Sequence, residues 1–466
     1  MKLKILARLL GLLPLAALAA QEPQAGVKKP EVEKTAGVAK TPLCAGSDDT
    51  VALQSMLNHG NPQMTVVEIP ATPTGCRISG PLIVHSNTHV IQNGLLTLSG
   101  YVWPSPAATQ RGMYTLEDGT QNVIIEGSGT LDGGHPNYQT FASGCCMGGI
   151  VSGGPAIGAY DVEVEDITIR GLTIRHIPQW PIELDGAKRV LIDGVTAHDS
   201  VNTLAVGHGS SDVIVNNLRV YNIADICFSF YRGVENALIS NSVVNQCNGG
   251  GISVFSDWPA CVGDPQFSKN VVINNNIAYG RNAAHGVGGI DVNGLGTSGE
   301  SNESTAVTFN LAHSHNSQGV GMTPARHGLI AGNMTSEQGL NNYANGVNLL
   351  GAKGVLVSGN SSFNQGEGST TGLGLNVSTL PASPLTPLPI CGSSVPALPA
   401  VTVERVSILD NYFYDSATSP TMLHALISGN PVPVVVAGNT YAPMIGAVDV
   451  ISYATGSHNA DNDAQP

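Results

Sequence analysis

The 466-residue chain is poor in charge: 12% of its residues are Asp, Glu, Lys or Arg, about half the usual share. Aromatic residues make up only 5%. Coiled coils and helical bundles need far more Glu, Lys, Arg and Leu at heptad spacing, so both are excluded. Basic residues number 20 against 34 acidic ones, a net charge of -14 that repels phosphate and excludes a nucleic-acid partner. No run reaches the roughly 18 uninterrupted apolar residues of a membrane span. No C-x-x-C pair occurs among the eight cysteines, which points away from zinc and towards disulfides. What the chain does have is glycine, 56 residues of it, together with short runs rich in Val and Ile that a disordered chain would not keep.

The first residues carry an export signal. Lys2, Lys4 and Arg8 precede an apolar stretch from Leu9 to Leu18, and Ala17-Leu18-Ala19 forms an A-x-A cleavage site. Residues 1–19 are therefore expected to be a signal peptide, and the mature protein to be secreted or periplasmic. Residues 20–43, rich in Lys, Glu, Pro and Ala, are expected to be a disordered linker. All eight cysteines follow, at Cys44, Cys76, Cys145, Cys146, Cys227, Cys247, Cys261 and Cys391. An oxidising compartment favours their pairing, in an order the sequence leaves open.

From about residue 120 one unit recurs: a β-branched run that ends in Gly or Asn, as in NVIIEG, DITIRGLTI, RVLIDGVTA and DVIVNNLRV. Markers at Gly171, Gly194, Asn217, Asn241, Asn275, Asn310, Asn333, Asn360, Asn411 and Asn439 are spaced by a base step near 23, with insertions. Such a period marks a solenoid. A 23-residue step has no room for a helix but accommodates three short strands and three turns. That is a parallel β-helix, with coils stacked about 4.8 Å apart and asparagine amides free to ladder between them. A second strand aligns independently in PIELDG, TLAVGH, DICFSFY, GISVFS and GIDVNG. Alternation places Ile182/Leu184, Leu204/Val206, Ile226/Phe228, Ile252/Val254 and Ile290/Val292 inside. Glu183, Asp185, Cys227, Ser229, Ser253, Asp291 and Asn293 then face solvent.

The expected architecture is all-β: a single-stranded right-handed parallel β-helix over residues 44–455, with a capping helix. Asp48-Asp49 caps an amphipathic helix ending near Leu57 that would cover the open N-terminal strands. Residues 44–100 make up this cap region, the proline-rich stretch 380–400 is a loop, and 456–466 is a frayed polar tail.

The sequences SDDTVALQSML, VVEIPA and CRISGPLIVHSNTHVI resemble the N-terminal cap of the pectate-lyase-like superfamily of right-handed parallel β-helices. GSGTLDGG, DITIRGLTIRHIPQWPI and VLIDGV resemble the polygalacturonase-type glycoside hydrolases. The resemblance spans roughly residues 46–450. It implies a carbohydrate-active protein with its substrate along the outer face of one parallel sheet. That family carries Asn-Thr-Asp, then Asp-Asp one coil later, then Gly-His-Gly and Arg-x-Lys. Here Asn202-Thr203 is followed by Leu204, Asp225-Ile226-Cys227 keeps one Asp, and Gly249-Gly250-Gly251 has no His. Asp225 matches the position of that family's general acid.

Glycoside hydrolysis needs two carboxyl groups astride the bond. Asp225, Glu183 and Asp291 are the candidates. Asp225 is expected two residues along and two coils away from each of the others, backbones about 12 Å apart. Asp185, Tyr231, Arg232, His208, Ser253, Asp257 and Trp258 would bind the substrate. Elimination or C5-epimerisation of a uronic acid is the second reading; Tyr231, Arg232, His208, Arg281 or His285 would take the proton, and calcium is the one cofactor it would bring in. A non-catalytic glycan-binding or structural solenoid is the third, with Trp103 and Trp258 as sugar platforms. His313 and His315 are expected as exposed turn residues. The favoured expectation is a protein that cleaves a polysaccharide. The acidic surface, with only ten Lys or Arg between residues 160 and 360, keeps a neutral glycan open beside a galacturonan.

Overall fold

The structure is a computed structural model, and it describes residues 44, 47–58, 64–99, 112–134, 154–256, 267–280, 288–294, 301–315, 318–336, 344–363, 372–382, 386–388, 393–395, 399–414, 422–428, 432–441, 458–460 and 463–464. The chain winds through three parallel sheets in strict rotation. The first coil passes from Thr65–Ile69 in sheet A to Cys76–Ile78 in sheet B and Leu82–Val84 in sheet C, and the next begins at Thr88–Gln92, back in sheet A. Among the described residues the sheets hold sixteen, fourteen and twelve strands. This is a parallel β-helix.

Its core is built from vertical columns of like residues. In sheet A, Ile125, Ile169, Ile192, Val215, Ile239, Ile273, Val307, Ile330, Val357, Ile408 and Val436 stack coil upon coil. All are buried. β-branched side chains suit such a surface because each packs against its own kind above and below. The corner after these strands demands a left-handed backbone, which Gly171, Gly194, Asn217, Asn241 and Asn275 supply at φ between 53° and 73°. That corner is what makes the recurring Gly or Asn, and the 23-residue step, visible in the sequence.

Beside it runs the asparagine ladder. Asn310, Asn333, Asn360, Asn411 and Asn439 each accept, through Oδ1, the backbone N–H and the side-chain amide of the asparagine one coil earlier, at 2.8–3.0 Å. A second column, Gly251, Gly289, Gly319 and Gly346, lies where sheets B and C converge. A Cβ there would fall within 2.3–2.8 Å of the neighbouring coil's carbonyl, so only glycine fits.

The helix Thr50–Leu57 buries Leu53 and Leu57 against the first coil. Asp48 Oδ1 accepts from Thr50 N at 3.0 Å, while Asp49, at the N-cap position, makes no side-chain cap bond and instead accepts from Arg77 N at 3.0 Å, which ties the helix to sheet B. Cys44–Cys76 and Cys227–Cys247 are disulfides; the other four cysteines lie outside the described residues. Residues 380–400 leave the coil: Leu380 and Val401 exchange two backbone hydrogen bonds of 2.9 Å, and between them Thr386–Leu388 pairs antiparallel with Ser393–Val395. The tail is not frayed throughout, because His458–Ala460 and Asp463–Ala464 extend sheets A and B. No described helix is long and apolar enough to cross a membrane. The expected signal peptide and linker lie outside the described residues.

Candidate active site

Sheet C carries the groove strands, and its register sets the site. One outward row runs Glu183, Ala205, Ser229, Ser253, Asp291, Gly321, Asn348 and Asn376 over eight coils. A neighbouring row runs Asp185, Gly207, Tyr231, Phe255, Asn293 and Thr323. The inward residues are Leu184, Val206, Phe230, Val254 and Val292, all in the core. The expected pair Ile226/Phe228 is thus displaced by two: Leu204 lies beside Phe228, Phe228 and Phe230 point inward, and Ile226 is half-buried next to Gly250. Cys227 is buried in its disulfide rather than exposed.

Glu183 and Asp185 sit two residues apart on one strand, facing away from the core yet buried, at 1% and 0% exposure. Tyr231 covers them from two coils on. Its hydroxyl donates to Asp185 Oδ1 at 2.5 Å and lies 3.4 Å from Glu183 Oε1. The ring crosses Gly207, where any Cβ would come within 2.4 Å of Tyr231 Cδ1. Gly207 is therefore what lets the hydroxyl reach the carboxyl pair. At the adjoining corner Asp161, His208 and Arg232 adopt left-handed backbones at φ 50°, 52° and 54°. His208 Nδ1 pairs with Asp161, and the Arg232 guanidinium lies 5.5 Å from the Tyr231 ring centre.

Two carboxyl groups this close and this buried cannot both ionise. Burial first, then the charge of Asp185, hold Glu183 well above the ordinary carboxylate range. Burial also raises Asp185, to about 6, opposed by the Tyr231 hydrogen bond and by His208. Both carboxyls are therefore held above the ordinary carboxylate range, and the pair keeps a proton at a pH where an exposed carboxyl has lost it. Burial and the two carboxyls push the Tyr231 hydroxyl well up, which keeps it a donor. Tyr160 rises to about 12 through burial and Asp161. Glu183 Oε2 and Asp185 Oδ2 are buried without a hydrogen-bond partner. Burying such groups unsatisfied costs stability, and that arrangement concentrates at functional sites.

The remaining candidates separate from this pair. Asp225 lies at the start of its strand, four residues before Ser229 of the Glu183 row, so it stands about 16 Å from Glu183 rather than 12. It accepts from Thr203 Oγ1 at 3.2 Å, and burial raises it to about 6. Asp291 is in the Glu183 row but four coils on, about 19 Å away. Burial raises it to about 7, and Gln318 Nε2 donates to it at 2.7 Å. Asp291, Ser253 and Ser229 are buried rather than solvent-facing, whereas Asn293 is half-buried. His313 is half-buried and bonded to Ser336 Oγ at 2.8 Å, while His315 is buried against Ala278 O, its pKa lowered by that burial to about 4; neither is an exposed turn histidine. Asp257, Trp258, Trp103, Arg281 and His285 lie outside the described residues. Sequence reasoning passed over Tyr160, Asp161, Gly207 and Gln318. Extending the groove alignment one coil back, to GAYD at 158–161, would have found the first two.

Three stacked sheets with an outward carboxyl pair define a class: a right-handed parallel β-helix with a site on one sheet. A family model for the right handed beta helix region matches residues 148–297. Residues 148–297 are thus similar to that family, and the chain has the fold of a right-handed parallel β-helix. The A-module of the Azotobacter vinelandii mannuronan C-5 epimerase AlgE6 shares the fold at 14% identity and a TM-score of 0.52, covering 90% of this chain and 96% of that one. The family 28 exopolygalacturonase of Yersinia enterocolitica does so at 14% and 0.51, covering 81% and 75%. The pre-mature gene product 12 of bacteriophage phi29 matches at 13% and 0.59 over 90% of this chain; the chain spans about half of that protein, 53%. No curated protein matches the sequence.

Proposed function

We propose that the protein is an exported carbohydrate-active enzyme that hydrolyses a glycosidic bond, with Glu183 as general acid and Asp185 as nucleophile. One observation carries this reading: two buried carboxyl groups bridged by a single hydroxyl, each with a buried oxygen left unpartnered. The bridge keeps the two facing oxygens within about 6 Å, closer to the 5–5.5 Å of retaining enzymes than to the 6.5–9.5 Å of inverting ones. Glu183 would protonate the leaving oxygen as Asp185 attacks the anomeric carbon. Water would then attack the glycosyl–enzyme bond, and Glu183 would take the proton back. Arg232 and His208 flank the pair at the rim. A polysaccharide substrate accords with the fold shared with a polygalacturonase and a mannuronan epimerase. The two disulfides accord with an oxidising, extracellular setting.

The elimination or epimerisation reading needs a base at C5. Tyr231 is the nearest group, but burial and two carboxyls keep it protonated, so it serves poorly as that base. Asp161, Asp185 and His208 bring ligand atoms within 4.8 Å of one another. Two carboxylates and an imidazole nitrogen fit calcium poorly, since it takes six to eight oxygens.

Assaying the purified protein on polygalacturonan, alginate and a mannan tests the proposal. New reducing ends without a 4,5-unsaturated product are expected. Glu183→Gln and Asp185→Asn should each lower kcat by about 10³-fold or more. Unsaturated products, or variants with full activity, would overturn it.

A further inference from the structure

The groove row holds a second polar focus that the carboxyl pair does not use. Asp291 Oδ1 accepts from Gln318 Nε2 at 2.7 Å, Gln318 Oε1 accepts from Asn348 Nδ2 at 2.6 Å, and Asn348 Oδ1 accepts from Asn376 Nδ2 at 2.8 Å and from Asn345 Nδ2 at 3.3 Å. Gly321 gives Gln318 its path, because a Cβ there would meet Gln318 Nε2 at 2.1 Å. It is the same device by which Gly207 admits Tyr231. The relay has a direction: every amide oxygen up to Asn348 is satisfied, and Asn376 Oδ1 at its end is buried with no partner. An amide oxygen so placed calls for a hydroxyl donor. Gln318 and Asn376 are half-buried, so part of each side chain is open to solvent, although Asn376 Oδ1 itself is not.

We propose that Gln318, Asn348 and Asn376 form a distal subsite for the hydroxyl groups of a sugar chain that runs along the helix axis to Glu183 and Asp185. The inference rests on the hydrolase reading and narrows its substrate to a polymer. Between the two foci the row itself holds only the small side chains of Ala205, Ser229 and Ser253. The four coils from Glu183 to Asp291 span about 19 Å. One sugar unit is about as long as one coil is high, so a trisaccharide seated at Glu183 falls short of the relay. Neutral amides recognise hydroxyls rather than carboxylates, so this subsite suits an uncharged sugar.

Two readouts on the full chain test the subsite: retardation in native gels containing polygalacturonan, alginate or a mannan, and the ratio of kcat/KM on each polymer to that on its trisaccharide. The variants are Gln318→Leu and the milder Asn376→Ala, with thermal melts to confirm folding. Folded variants should lose the retardation shown by the wild type, and the polymer-to-trisaccharide ratio should fall at least tenfold. Wild-type retardation and ratio in both folded variants would overturn the subsite and leave the hydrolase reading intact. Retardation lost in the variants of a protein that cuts none of the polymers would uphold the subsite and overturn hydrolysis. A wild type that is neither retarded nor active on any of the three would overturn both.

Discussion

At the scale of single residues, the site is a problem of where one proton rests. Glu183 and Asp185 share a strand, and the Tyr231 hydroxyl favours the charged form of Asp185 most directly, donating to it at 2.5 Å against 3.4 Å to Glu183. That hydrogen bond favours the ionised form and so holds Asp185 down against burial. Tyr231→Phe removes it, and the Asp185 pKa should climb above about 6. The acid limb of the pH–rate profile is then expected to move up by about one unit, with kcat lower and the melting temperature little changed. A profile that stays in place would show that the hydroxyl does not hold the charge on Asp185. Glu183 and Asp185 were legible as outward groove residues from alternation, and Tyr231, His208 and Arg232 as residues at the ends of groove strands. Their convergence was not, because it depends on a tyrosine 46 residues downstream folding across Gly207.

At the scale of the element, the coil is held by repetition along the axis rather than by any single strand. Asn360 shows how much one rung carries. Its Oδ1 accepts from Asn333 N and Nδ2, and its own amide donates to Asn411 Oδ1 and to Ile330 O, all at 2.9 Å. Asn360→Leu would strand several buried polar groups at about 1–3 kcal/mol each. Calorimetry should show a melting temperature lower by several degrees. An unchanged melt would mean that the ladder satisfies its polar groups without stabilising the fold. The ladder was legible because its residues recur at the coil period. The groove register slipped at one strand for an equally local reason. Ile226–Tyr231 offers Ile226, Phe228 and Phe230 at alternate positions, and alternation cannot say which two of three face the core.

At the scale of the whole molecule, buried acids set the response to pH. Asp185 and Asp225 are raised to about 6 and Asp291 to about 7, each chiefly by burial. The folded chain therefore holds protons that the unfolded chain releases near pH 4. Their contribution to stability is fully present below about pH 4 and is lost as pH rises through about 6 to 7. The melting temperature should fall over that window. Asp291→Asn keeps an acceptor for Gln318 and should flatten part of the fall. A melting temperature that rises steadily from pH 4 to 7.5 would contradict the burial of these groups.

The division between sequence and tertiary structure follows from distance along the chain. Whatever repeats at the coil step was written locally: the left-handed corner that admits Gly or Asn, the β-branched columns, and the alternation that turns Glu183 and Asp291 outward. Those are properties of a residue and its immediate neighbours, and they determined a β-helix and its groove. The site itself was decided only by stacking. Stacking put Asp225 about 16 Å from Glu183 and Asp291 four coils away, and laid Tyr231 across Gly207 onto Glu183 and Asp185, neighbours on one strand. Register between strands 20 to 50 residues apart, and the glycines that let one side chain cross a coil, leave no local trace. The low charge and high glycine belong to the first kind, and the hydroxyl bridge over the groove carboxyls to the second.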